Sequence, residues 1–281
     1  MTTAAQFFDT LKTSIANNEI RLPTLPEVAL RVRDEVENEL ATADSLATLI
    51  STDPALSARL MQVANSPLYR GRSDIDSVKM AVTRLGLSLV KNLVVSLAMK
   101  QMFQATSDAL DRKMRTVWDQ SVQVAAIARV LSGALPHLDR EQALLAGLIH
   151  NIGALPVLTL AEEDSVLSND GDRLDRYIQA IAPTIGSYIL KLWKFPASLS
   201  SVPANAVKPD YDHDGPADYS DLVLVSRLQH LLGSDHPAAR LDWSKISAFE
   251  RVGLSHDANV IEMEGHAEEI GEVEQMLTSM A

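Results

Sequence analysis

The side chains best placed for chemistry are His150 and Asn151, which close the apolar run Leu144-Leu145-Ala146-Gly147-Leu148-Ile149. An imidazole offers nitrogen to a metal, but the neighbouring amide offers only a neutral oxygen. Hard cations such as Mg²⁺ or Mn²⁺ favour carboxylate and water oxygens, so asparagine here withholds the charge that such an ion needs. One imidazole cannot hold a catalytic metal that requires three or more protein ligands. The plainer role is a buried histidine whose ring nitrogens bond within a helix bundle. Asp212-His213-Asp214 sets three metal-capable side chains in a row, but consecutive side chains in a loop do not converge on one ion unaided. His230 and His236 follow no zinc spacing and read as surface or packing residues.

Arg70, Arg72, Lys79 and Arg84 form the most suggestive positive cluster. Arginine pairs with phosphate oxygens in two-point fashion, so a nucleotide or an acidic protein surface would suit this patch. A solvated loop and helix face is its plainer reading. No Gly-x-Ser-x-Gly elbow, phosphate loop or dinucleotide fingerprint occurs. The chain has no cysteine, which excludes thiol nucleophiles, thiolate zinc sites and a disulfide scaffold.

These groups need elements to hold them, and the composition favours helices. Hydrophobic residues make up 46% of the 281 residues and aromatics only 5%, so the core is aliphatic. Strand-like alternation is rare, which points to an all-α fold. Phe7, Phe8, Leu11 and Ile15 predict a short helix over 4–17. A second helix follows Pro26, with Val28, Val32 and Val36 on its buried face. Asp44 is expected to cap a third, and Asp53-Pro54 to start a fourth that ends at Asn65-Ser66-Pro67. Ser88, Asn92, Ser96 and Lys100 trace a narrow polar stripe on an otherwise apolar helix, as in a central bundle member. Further helices are expected over 109–132, closed by Gly133, and over 141–150, 173–181, 184–194, 196–202 and 218–232. Proline, aspartate and glycine between 203 and 217 mark a loop or linker.

The net charge of −12 is unevenly spread. Seven acidic residues and no Lys or Arg lie between Val252 and Ala281, whereas 59–115 holds ten Lys/Arg against four Asp. Overall acidity argues against a dedicated nucleic-acid binder. The N-terminus shows no signal-peptide pattern, and Leu85 to Met99 is shorter than the roughly 18–20 apolar residues of a membrane span. The expectation is a cytoplasmic protein without a membrane anchor.

Six stretches, taken in order, resemble the HDOD family, the non-catalytic relatives of HD-superfamily phosphohydrolases in bacterial signalling. They are Leu22-Pro23-Thr24-Leu25-Pro26, Asp53-Pro54-Ala55-Leu56, Val63-Ala64-Asn65-Ser66, Ala81-Val82-Thr83-Arg84-Leu85-Gly86, Ala146 to Gly153, and Leu192-Trp193-Lys194-Phe195-Pro196. Together they span about residues 20–200, and Phe249 to Leu254 is similar to the C-terminal part of such proteins. The resemblance implies a multi-helix, HD-like bundle acting as a signalling adaptor. It further implies an N-terminal helix over 1–19, the HDOD-like domain over 20–202, a loop or linker over 203–217 and a helical subdomain over 218–281 packed on that core.

Carrying the superfamily's metal ligands across leaves few of them. Asn151 stands where the superfamily has aspartate. Gln120, in Trp118-Asp119-Gln120, stands at an expected histidine, and so does Ala182, four residues before Gly186. Val202-Pro203-Ala204-Asn205-Ala206 replaces an expected His-His pair. The resemblance therefore implies no catalytic residue, no metal and no cofactor, with His150 as the remnant. The groove near His150, Asn151 and Gln120 becomes a ligand or partner pocket, and 59–100 a partner-facing surface. Implied partners are signalling proteins of two-component or cyclic di-GMP pathways. The alternatives are a metal-dependent phosphohydrolase of nucleotides or phosphate esters, and a non-hydrolytic nucleotide sensor built on the arginine cluster.

Overall fold

Helix starts in this chain are fixed by short polar side chains that satisfy the free amides of the first turn. The computed structural model describes residues 13, 26–71, 73–100, 102–103, 108–163 and 170–278. The helix expected over 4–17, and residues 22–25 of the first motif, lie outside them. Fourteen α-helices and no strand occur among the described residues. They are α1 (Glu27–Val36), α2 (Ala43–Ile50), α3 (Pro54–Ala64), α4 (Val78–Leu85), α5 (Leu87–Lys100), α6 (Asp108–Leu131) and α7 (Arg140–Ile149). After these come α8 (Ala154–Glu163), α9 (Gly171–Leu192), α10 (Ala197–Ser200), α11 (Val202–Asn205), α12 (Tyr219–His230), α13 (Ser247–Val252) and α14 (His266–Thr278). The all-α bundle expected from the sequence is what the chain forms.

Asp53 caps α3 through Leu56 N at 3.0 Å, as the Asp-Pro signal predicts. Helix α2 departs from expectation. Thr42 caps it, not Asp44, because Thr42 Oγ1 accepts from Ser45 N at 3.0 Å while Ser45 Oγ accepts from Thr42 N at 3.1 Å. This reciprocal pair satisfies two amides, where Asp44 in the first turn offers only charge. A second departure is α9, a single helix where two were expected over 173–181 and 184–194. It runs through Pro183. A proline inside a helix costs about 3 kcal/mol, which the buried face of Leu174, Tyr177, Ile181, Ile185 and Ile189 outweighs. The helix expected over 196–202 is instead the two short turns α10 and α11.

Long α6 is the hub: α7, α8, α12 and α14 all pack on it. Contact with α7 is close because Gly147 lacks a Cβ, which would lie 2.3 Å from Ala125 Cα. Gly153 does the same for α8 and α9, since its Cβ would fall 2.0 Å from the Ala182 carbonyl oxygen. Both glycines thus serve helix approach. On α5 the polar stripe runs from exposed Ser88 to buried Asn92 and Ser96, with Ser96 Oγ donating to the Asn92 carbonyl at 2.8 Å.

Residues 206–218 form a loop that is pinned rather than free. Tyr211 donates to Asp218 at 2.7 Å, His213 meets Asp221 at 2.8 Å, and Arg251 on α13 reaches Asp212 at 2.6 Å and Asp221 at 2.7 Å. The acidic C-terminal helix α14 docks on α6. Its Glu269 pairs with Arg129 at 2.9 Å and with Arg140, both outside the basic 59–115 segment except as α6 continues beyond it. Lys100 touches α14 only at the Thr278 carbonyl, at 3.3 Å. The stretch most like a membrane span is Arg140–Ala161, not Leu85 to Met99, and 83% of it is buried inside the bundle.

Candidate functional site

The break between α7 and α8 leaves His150 and Asn151 at the floor of a cavity of about 440 Å³. Gln120 and Val117 of α6, Ala182 of α9, and Leu224 and Arg227 of α12 complete its walls. The four positions singled out by resemblance (His150, Asn151, Gln120 and Ala182) thus line one cavity. They meet there because Gly147 draws α7 against α6 and Gly153 draws α8 against α9.

His150 is 4% exposed, and its Nδ1 lies 2.5 Å from the Gly147 carbonyl. A carbonyl accepts, so Nδ1 carries the proton and Nε2 keeps its lone pair. Burial, and then the nearby Arg227 guanidinium, push this imidazole down to about 3, so it is neutral at physiological pH.

Three cavity residues were not read as functional from the sequence. Arg227 lines the cavity from α12 and donates from Nη1 to the Ala206 carbonyl at 2.5 Å. Ala206 ends the segment where the resemblance expects a His-His pair, so a half-buried arginine now grips that backbone. Burial lowers the guanidinium to about 10. His230 and His236 also line the cavity, and burial followed by Arg227 lowers both. Among the described residues Asp175 is the sole carboxylate on the lining, and it forms an ion pair with Lys113. Among the described residues no carboxylate pairs with Arg227.

This donor set does not fit a divalent metal. One imidazole nitrogen, two neutral amides and a methyl group stand at the ligand positions, a guanidinium occupies the same cavity, and His230 and His236 on the lining form no close metal-ligating group with other His or carboxylate side chains among the described residues. A cation brought there would meet repulsion from Arg227, and the one carboxylate among the described lining residues, Asp175, is already paired with Lys113.

The other sequence candidates are dispersed. Lys79 pairs with Asp44 at 2.6 Å, Arg84 donates to the Ser73 carbonyl at 2.7 Å, Arg70 is exposed, and Arg72 lies outside the described residues. They line no common pocket in what is described. His213 gathers with Asp218 and Asp221, its neighbours Asp212 and Asp214 standing apart. That trio is already committed to donors from Tyr211, Arg251 and the α12 amides.

Comparison with known proteins agrees with this architecture. A solved structure from Shewanella amazonensis SB2B, whose name assigns it provisionally to the metal-dependent phosphohydrolases, superposes with a TM-score of 0.84. The two are 28% identical over 99% of this chain and 100% of that one. An HDOD domain protein of unknown function from Geobacter sulfurreducens has a TM-score of 0.65 at 21% identity, covering 99% of both chains. A signal transduction protein, so named provisionally, from Marinobacter aquaeolei VT8 also reaches 0.65, at 23% identity over 98% of this chain and 61% of that one. An uncharacterised protein of Treponema pallidum is 31% identical over 148 residues, 51% of this chain but only 27% of the relative's length. The family model for the HDOD domain matches residues 22–209, which takes in α1 to α11 and every cavity position on α6 to α9, and the chain is therefore a member of the HDOD family.

Proposed function

We propose that this protein is a non-catalytic regulator of bacterial signalling that works by contacting other proteins. The observation that carries this reading is the cavity itself. Where a hydrolytic centre needs several anionic or imidazole ligands converging on a metal, this one presents His150 beside Gln120, Ala182, Asn151 and the guanidinium of Arg227, and its other histidines, His230 and His236, do not gather with it into a ligand cluster among the described residues. Activating water and polarising a phosphate would require a bound cation, and the lining repels one. The fold remains, and with it surfaces able to meet a partner, including the 59–100 segment. Components of two-component or cyclic di-GMP pathways are the partners proposed, at a cytoplasmic address. The name carried by the Shewanella relative favours the competing reading, a metal-dependent phosphohydrolase.

Metal analysis separates the two. Purified protein is incubated with Mn²⁺, Fe²⁺, Ni²⁺ and Zn²⁺, dialysed, and its metal content measured by mass spectrometry. The regulator reading expects no stoichiometric retention. Near-stoichiometric metal that disappears in His150→Ala, together with hydrolysis of a phosphate ester, would replace it with the phosphohydrolase.

A further inference from the structure

Arg227 is an unusual residue to find on α12. Its neighbours Leu222, Val223, Leu224, Val225, Ser226, Leu228 and Gln229 are all buried, so the helix has almost no solvent face. An enclosed charge is ordinarily paired, because removing it from water costs several kcal/mol. Arg251 on α13 obeys that rule, pairing with Asp221 in the first turn of α12. Among the described residues Arg227 bonds to the Ala206 carbonyl alone, through one of its five N–H donors. The rest of the fork is left for the cavity that the residue lines.

We infer that the cavity binds a small organic oxyanion, a phosphate or carboxylate group held by Arg227 with the adjoining His230 and His236, and an apolar body against the wall of Leu224, Leu228 and Ile178. Each part of the ligand follows from a part of the lining. The guanidinium offers two-point bonding to an oxyanion. The two histidines come from the end of α12 and the segment after it, and both can donate a ring N–H. The aliphatic side chains of Leu224, Leu228 and Ile178 on the same lining present no polar group. Asp175 would oppose an anion, but its charge is taken up by Lys113. The volume of about 440 Å³ lies within the range of sites for small organic molecules. The anion thus supplies the counter-charge that the described residues do not provide.

The inference rests on the reading that this cavity is not a metal centre. Retained metal would sink that reading, whereas failure of the following titration of chelator-treated protein would sink the anion site alone. Isotope-labelled protein is titrated at constant ionic strength with inorganic phosphate, phenyl phosphate and benzoate, with chloride as control. Signals of arginine Nε and of the imidazoles are followed by NMR. The expected result is saturable movement of Arg227, His230 and His236 while Arg129 and Arg251 stay in place. Phenyl phosphate or benzoate should bind at least about tenfold more tightly than inorganic phosphate, since burying a ring contributes well over the 1.4 kcal/mol that a factor of ten requires. The tighter of the two identifies the head group. Arg227→Met should abolish saturation and Arg227→Lys should weaken it. Movement confined to Arg70 and Arg84, far along the chain from the cavity, or saturation unchanged in Arg227→Met, would overturn the site. The wild-type signals alone decide this if the variants do not fold.

Discussion

Arg129 on α6 is 5% exposed and lies between two carboxylates, Glu141 at 2.9 Å and Glu269 at 2.9 Å, with its guanidinium 5.7 Å from the centre of the Tyr69 ring. Arg227 on α12 is half-buried, and among the described residues it meets one carbonyl and a cavity. Their acidities move in opposite directions. Burial disfavours the charge of both. In Arg129 the carboxylates, Glu141 above all, overcome it and raise the guanidinium above its ordinary value; in Arg227 burial acts alone and lowers it to about 10. The difference teaches how to tell a structural charge from one kept for a ligand. Arg129 joins α6 to α7 and α14 with its counter-charges built in. Arg227 has a binding fork and no counter-charge.

Removing Glu141 should break the first half of this comparison most visibly. Glu141→Ala leaves Arg129 buried with only the half-exposed Glu269, and an uncompensated buried charge costs about 3–4 kcal/mol. Urea denaturation should show that loss as a lower midpoint with an unchanged slope. A loss under about 1 kcal/mol would mean that the pair behaves like an exposed salt bridge. Gly147→Ala attacks the same α6–α7 contact by shape alone. Its Cβ would sit 2.3 Å from Ala125 Cα, so backbone must shift, at about 2–3 kcal/mol. Because that contact also forms a cavity wall, anion titration of the variant should weaken alongside stability.

What could be read from the sequence, and what could not, follows from the range of the interactions. His150 and Asn151 are adjacent in the chain, and the loss of carboxylate charge was visible in two letters. Gln120 and Ala182 follow from counting along motifs, and both line the cavity. Arg227 was missed because one arginine between apolar residues looks like a surface position. The available signal was that α12 has no surface: Leu222 to Val225 and Leu228 exclude a solvent stripe at helical spacing. The pairing of Arg251 with Asp221, thirty residues apart, had no local sign at all. Pro183 misled for the opposite reason. Its local breaking tendency is real but smaller than the burial of the helix face that carries it across.

Acid should sharpen the contrast from the cavity side. The folded pKa of His150, about 3, lies below the roughly 6.5 of an unfolded histidine. Its neutral form is therefore the folded form. The stability this contributes is complete above pH 6.5 and is lost as pH falls toward 3. By pH 5 the loss should reach about 2 kcal/mol, from 1.5 units of pH at 1.36 kcal/mol each. His230 and His236, also lowered, add in the same direction. Stability measured from pH 7.5 to 5 should fall in the wild type and fall less in His150→Gln. A profile identical in both would show that His150 takes up its proton without penalty, and that the cavity admits water freely around it.

The smallest effect is the most discriminating. Arg227→Met removes one hydrogen bond to the Ala206 carbonyl, which costs about 1 kcal/mol. It also removes an enclosed charge without a counter-ion, and replacing such a charge by an apolar side chain of similar length is often neutral or stabilising. In buffer free of oxyanions the two should nearly cancel, leaving the variant within about 1 kcal/mol of the wild type. Phosphate should then stabilise the wild type and leave the variant unmoved, because only the state that binds the anion gains from it. Arg129→Met provides the reference, since it strands Glu141 in the core and should lose several times as much. Should Arg227→Met lose as much as Arg129→Met, the guanidinium is an anchor for the loop after α11, and the distinction between the two arginines disappears.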